Sequence, residues 1–190
     1  MSAVTFAEAR SAAGTPFTVA DLDRTPDDGR RYELLDGVLV VSPRPVIAHQ
    51  WVATRLASVL LMACPEDLGV VAEPALQLSR KTELAPDIVV VRVDQAQGAK
   101  FTTPPLLVVE VRSPSTALID LNRKKAVYEK FGVPSYWIVN PDQPQPGLTV
   151  FELRDGRYSL AVETPGSFTV DRPFTATIAP ADLTRGLRLQ

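Results

Sequence analysis

Pro86-Asp87-Ile88-Val89-Val90-Val91 and Leu106-Leu107-Val108-Val109-Glu110 are the two segments that decide how this 190-residue chain folds. Each carries a continuous apolar run rich in β-branched residues and bounded by proline. That pattern marks a central strand covered on both faces, not a strand with one wet side. Each run also has an acid at its end: Asp87 opens the first and Glu110 closes the second. An ionised carboxylate at the end of a buried strand needs a cation or strong hydrogen bonds. If the two strands pair antiparallel, the start of one lies beside the end of the other, and both carboxylates meet at one edge of the sheet. Such a pair suits Mg²⁺, which binds through one or two carboxylates and keeps several waters. Helix or strand capping, or an ion pair with Arg112, would use the same acids without any chemistry.

Outward from these strands, the punctuation is clear. Arg31-Tyr32-Glu33-Leu34-Leu35 and Val38-Leu39-Val40-Val41 flank Asp36-Gly37, a strong hairpin signal, and Thr18 to Leu22 reads as a short helix capped by the Thr18 oxygen. From Val46 to Met62 apolar residues recur at three- and four-residue steps, which predicts a helix ended by Pro65. Trp51 and Trp137 fall on periodic faces and are expected in the core. A second, polar helix is expected from Leu118 to Phe131, with Gly132 at its C-cap. Ser135 to Val139 reads as a further strand. Leu148 to Leu153 and Tyr158 to Val162, joined by Asp155-Gly156, read as a C-terminal β meander. The expectation is one α/β (α+β) domain over residues 1–190, with the core at about 15–165 and a C-terminal extension at 166–190.

Composition excludes several classes. The hydrophobic fraction is 45% and the charged fraction 22%, ordinary values for a globular chain that can bury a core without a staple. A single cysteine, Cys64, excludes an intrachain disulfide and a cysteine-built zinc site, and its apolar neighbours predict a buried, inert thiol. No apolar run approaches the ~20 residues of a bilayer span, and the first residues lack a signal-peptide layout, so a cytoplasmic setting is expected. The glycines are scattered singly, with no phosphate-cradling loop, and Ser113 and Ser115 lack a nucleophile-elbow context. A net charge of −2 supplies no global attraction to nucleic acid, so a polyanion would have to be held by a local patch or through metal ions. The best local patch is Arg123-Lys124-Lys125 with Lys130.

Beyond spacing, Pro86-Asp87 with Glu110-Val111-Arg112 resembles the PD-(D/E)xK nuclease signature, with arginine in place of the usual lysine. The wider string resembles the Uma2 family of restriction-endonuclease-like proteins. Its members are Glu110 to Thr116, then Asp120, Lys124 and Tyr128, then Gly132-Val133-Pro134-Ser135-Tyr136-Trp137-Ile138-Val139. Tyr32-Glu33-Leu34-Leu35-Asp36-Gly37 and His49 match the family's N-terminal pattern, so the resemblance spans roughly residues 15 to 165.

This resemblance implies a mixed β-sheet core flanked by helices and a metal-dependent endonuclease acting on DNA, with Mg²⁺ or Mn²⁺ held by Asp87 and Glu110. It brings Glu33 toward the same site, where the bland alternative is a cross-strand polar partner. Such nucleases commonly act as dimers, and the apolar helix from Val46 would offer an interface. Arg112 departs from the motif: its pKa of roughly 12.5–13.8 keeps it protonated, so it stabilises charge but takes no proton. Lys124 is the candidate substitute, because Asp120, Lys124 and Tyr128 form one stripe on the helix that follows the Glu110 strand. A surface pair between Asp120 and Lys124 is the alternative. Phosphate contacts are expected from Arg112, Arg123 and Lys125. His49, the only histidine, is expected to be a polar helix end-group with at most an accessory role. The competing function is a catalytically silent nucleic-acid or protein-interaction module that retains the nuclease fold.

Overall fold

The computed structural model describes residues 15–112, 118–142 and 145–187. Helix α1 (Val19–Leu22) leads into strands β1 (Arg31–Leu35) and β2 (Val38–Ser42), then α2 (Ile47–Ala63), β3 (Leu68–Ala72), β4 (Leu76–Ser79), β5 (Thr82–Leu84), β6 (Ile88–Arg92) and β7 (Leu107–Val111). Next come α3 (Leu118–Lys130), β8 (Ser135–Asn140), β9 (Gly147–Arg154), β10 (Arg157–Thr164), β11 (Phe168–Val170), β12 (Ala176–Ile178) and α4 (Pro180–Leu183). The Ser113 to Thr116 part of the motif and the Asp120 side chain lie outside the described residues.

The main sheet has the order β10-β9-β8-β7-β6-β3, and a smaller sheet has the order β2-β1-β5-β4. In the main sheet β7 and β8 pair in parallel, and every other pairing is antiparallel. A parallel pair needs a crossover connection, and α3 supplies it. This is the mixed sheet with flanking helices that the sequence predicts. The meander is present as well, but as β8-β9-β10 it extends the main sheet outward from the crossover.

Alternation along the strands sorts the core into two layers. Ile88, Val90, Leu107, Val109 and Val111 face Val52, Leu56 and Leu60 of α2, and Val170, Phe174, Ile178 and Leu183 join them. Val89, Val91 and Val108 face the opposite way, toward Leu35 and Leu84 of the small sheet and Val127 and Tyr128 of α3. The main sheet is therefore covered on both faces, which explains the unbroken apolar runs of β6 and β7. The β11–β12 hairpin and α4 pack into the first layer. No helix among the described residues is long and apolar enough to cross a membrane.

Several local expectations change. Thr18 caps α1 in the reverse sense: its hydroxyl and its amide both donate to the Asp21 carboxylate, at 2.7 and 2.9 Å. Trp137 is fully buried, but Trp51 is 39% exposed and lies under the Arg55 guanidinium, 4.9 Å from its ring centre. α2 is apolar on most sides, so periodicity alone does not pick the face that it buries. Cys64 is half-buried, not buried, and what burial it has, with Asp67 nearby, pushes its thiol up and away from reactivity.

Both Asp-Gly turns place each residue at positive φ, Asp36 at 50° and Gly37 at 82°, Asp155 at 51° and Gly156 at 74°. That is the hairpin turn whose twist matches the strands. The first is also locked to the rest of the molecule, since Gly37 donates to the Lys81 carbonyl at 2.7 Å and accepts from Phe17 at 3.0 Å. A Cβ on Gly37 would lie 2.8 Å from the Pro16 Cβ, whereas one on Gly156 meets nothing within 4 Å. Gly37→Ala is therefore expected to cost about 1–3 kcal/mol in urea unfolding, and clearly more than Gly156→Ala, which carries only the backbone strain. Equal costs would show that the Pro16 contact does not matter.

Candidate active site

β6 and β7 pair with Ile88 opposite Val109, so Asp87 and Glu110 occupy the next position along the ladder. By alternation both belong to the face shared by Val89 and Val108, the side covered by α3 and the small sheet. Three other segments converge there. β1 contributes Arg31 and Glu33, which share a strand face two residues apart. The first turn of α2 contributes His49, and the middle of α3 contributes Lys124 and Tyr128.

The charged groups are knitted together. Lys124 Nζ donates to Glu33 Oε1 at 3.0 Å and to Glu110 Oε1 and Oε2 at 3.3 and 3.5 Å. Tyr128 donates its hydroxyl to Glu110 Oε1 at 2.8 Å. Glu33 Oε1 also accepts from the Ala85 amide at 2.9 Å, while Arg31 Nη2 donates to the Ala85 carbonyl. The strand entry Ala85-Pro86-Asp87 is thus held from both sides by β1. Asp87 Oδ2 accepts from the Val111 amide at 2.7 Å and pairs with His49 Nε2 at 3.1 Å, and Oδ1 lies 3.5 Å from Arg31 Nη1. Since the carboxylate only accepts, Nε2 carries the hydrogen.

Burial and charge set the protonation states. Burial drives the Glu110 carboxyl up; Lys124 opposes it and the neighbouring Asp87 and Glu33 add to it, leaving it at about 7. Burial would raise Asp87 too, but the hydrogen bond and charge of His49, with Arg31 and the Val111 amide, hold it below the usual range. Glu33 is likewise held low against burial by Lys124 and Arg31. For His49, burial works downward, and the Asp87 hydrogen bond and charge outweigh it, raising the imidazole above its ordinary value.

Asp87, Glu110, Lys124 and Glu33 are therefore brought together, as the sequence expects, and Lys124 reaches Glu110 instead of lying on the surface. His49 departs from expectation: it is 6% exposed and bonded to Asp87, not a solvated end-group, because the first turn of α2 packs over the entry to β6. Its Nδ1 is buried with no hydrogen-bond partner among the described residues. The three basic residues expected at phosphate are not brought to this cluster. Arg112 stands 3.9 Å from Asp142, Arg123 lines an open pocket with Leu35 and Lys130, and Lys125 Nζ sits 3.6 Å over the Phe151 ring. Arg31 was missed, since a strand arginine before a tyrosine carries no signal of its partners.

The donor set fits a hard divalent ion. Asp87 Oδ1 and Glu110 Oε2 are each held only at 3.5 Å, while the other oxygen of each acid is doubly engaged. Two oxygens from adjacent ladder positions, in a cluster where one carboxyl is already forced up, match an ion that takes few protein ligands. Among the described residues no group of three or more His, Cys, Asp or Glu side chains is arranged to hold a metal.

Known proteins agree with this architecture. The family model described as "Uma2: Putative restriction endonuclease" matches residues 19–182. The crystal structure of "a putative nuclease belonging to DUF820" from Anabaena variabilis superposes with a TM-score of 0.73, over 89% of this chain and 98% of that one, at 17% identity. At that identity the likeness is one of fold. No curated protein matches the sequence.

Proposed function

Because the chain belongs to the Uma2 family, we propose that it is a metal-dependent endonuclease that hydrolyses phosphodiester bonds in DNA, with Asp87 and Glu110 holding Mg²⁺ or Mn²⁺. The observation that carries this reading is the Lys124 ammonium. It is buried between Glu33 and Glu110 on the face that Asp87 shares, so lysine and acids converge although the strand itself carries Arg112.

A bound divalent ion would supply a Lewis acid for the phosphoryl oxygen and a water of lowered pKa. The chain's own groups do the rest. Lys124 donates hydrogen bonds, orients the attacking water and offsets charge on the phosphate as it is attacked. Tyr128 and Lys124 fix the Glu110 carboxylate mainly through Oε1, and Oε2, held only by Lys124 at 3.5 Å, is the oxygen that would take a ligand. The Val111 amide and His49 do the same for Asp87. Glu33 does not face the substrate phosphate in this scheme; it holds the lysine and, through the Ala85 amide, the entry to β6.

The test is a cleavage assay with Mn²⁺ on supercoiled, linear and single-stranded DNA, comparing wild type with Glu110→Ala. Wild type is expected to cut and the variant to be inert. Equal cutting by both would mark a contaminant. If wild type neither cuts DNA nor takes up Mn²⁺ in calorimetry, the silent interaction module is the function that stands.

A further inference from the structure

Arg31 is the one member of the cluster open to solvent. Its side chain is 19% exposed, against 2% for Asp87, 5% for Lys124 and 6% for Glu110. Two of its donors are engaged: Nη1 lies 3.5 Å from Asp87 Oδ1, and Nη2 donates to the Ala85 carbonyl. A guanidinium has five N–H donors in a planar fork, so three are uncommitted among the described residues. The neighbouring Glu33, Asp87 and Glu110 carboxylates outweigh burial and keep it charged. The basic side chains at 112 and 125 are turned to Asp142 and Phe151, and Arg123 lines a separate open pocket beside Leu35 and Lys130.

We infer that Arg31 is the phosphate receptor of this site, binding a DNA phosphodiester through the guanidinium donors that the folded protein leaves unused. The inference rests on the nuclease reading above and adds a substrate contact to it. A phosphate arriving from solvent meets Arg31 before it meets any other cation of the cluster. The fork suits two phosphoryl oxygens at once, which a lysine does not. The Asp87 oxygen that Arg31 touches is also the one left for a cation, so occupation of that oxygen would free a further N–H for the incoming anion.

The experiment is a fluorescence-anisotropy titration of a short duplex over a NaCl series, in EDTA and separately in Ca²⁺. It compares wild type, Arg31→Gln, Arg31→Lys and Arg112→Gln, with melting curves for each. Loss of one phosphate contact lowers the slope of log affinity against log salt by about one. Arg31→Gln is expected to show that drop with roughly tenfold weaker binding, and Arg31→Lys to restore the slope but not the full affinity. Arg112→Gln, which removes the same charge elsewhere, should keep the wild-type slope. An unchanged slope in Arg31→Gln, or an equal loss in Arg112→Gln, overturns the assignment. Should Arg31→Gln fail to fold, Arg31→Lys decides, and wild-type affinity in that variant overturns it. A wild type that binds no duplex in either buffer removes the nuclease reading itself. A wild type that binds while the Arg31 variants match it removes only this contact.

Discussion

Lys124→Ala is expected to abolish metal-dependent cleavage and to destabilise the fold by roughly 3–5 kcal/mol, the usual cost of removing one partner from a buried ion pair. Lys124 is 4% exposed and serves two acids at once, Glu33 at 3.0 Å and Glu110 at 3.3 Å. Without it two buried carboxylates share a pocket in which Arg31 is the remaining fixed cation among the described residues, and Glu110, already pushed up, must rise further or stay protonated. Adding Glu110→Gln to Lys124→Ala is therefore expected to recover part of the stability and none of the activity. Urea unfolding of the two single variants and the double variant gives the coupling between the side chains, and a gel gives the cleavage. Full cleavage by Lys124→Ala would end the lysine's catalytic role. Wild-type stability would show that its contacts with both acids contribute nothing.

The second large effect concerns Glu110 and pH. Its carboxyl sits at about 7 in the folded protein against an ordinary value of 4.5. The folded state therefore binds more protons than the unfolded one between those values. Stability falls as pH rises through that window and stays low above it. Glutamine mimics the protonated acid and has no proton to lose. In EDTA, Glu110→Gln is expected to melt higher than wild type at pH 8 by roughly 6–12 °C, from about 3 kcal/mol of relieved charge burial, and to melt close to it at pH 5. Divalent ions should raise the wild-type melting temperature at pH 8 and leave the variant unmoved. A gap between the two proteins that does not change with pH would refute the elevated carboxyl.

The central strands of the main sheet were readable from the sequence, and the meeting of Asp87 with Glu110 followed on condition that β6 and β7 pair antiparallel, as they do. Runs such as Ile88 to Val91 are buried on both faces, so their composition alone marks them, and register then carries the acids to the same place. The two Asp-Gly turns were readable because their backbone angles demand those residues. β3, β4 and β5 were not. Thr82-Glu83-Leu84 is too brief for any period, and β3 is an edge strand with an unremarkable Leu-Gly-Val-Val-Ala. Trp51 and His49 failed differently, since α2 is nearly apolar all round and its buried side is chosen by what packs on it. Asp87, the partner that buries His49, lies 38 residues further along. Arg31 and Ala85, 54 residues apart, meet because β1 pairs antiparallel with β5, whose end runs into Ala85.

The Lys124–Glu33 contact spans 91 residues, and the cluster draws on five separate segments of chain. During synthesis the acids of β1, β6 and β7 emerge before α3 does. A polypeptide halted at Val111 would carry every carboxylate of the cluster but not Lys124, leaving Glu33 and Glu110 without the ammonium that pairs with both. On the proposed nuclease reading, the site is complete only once the crossover helix has been made. A truncated or nicked product lacking α3 is expected to leave the pocket unassembled, because the cluster's lysine comes from that helix.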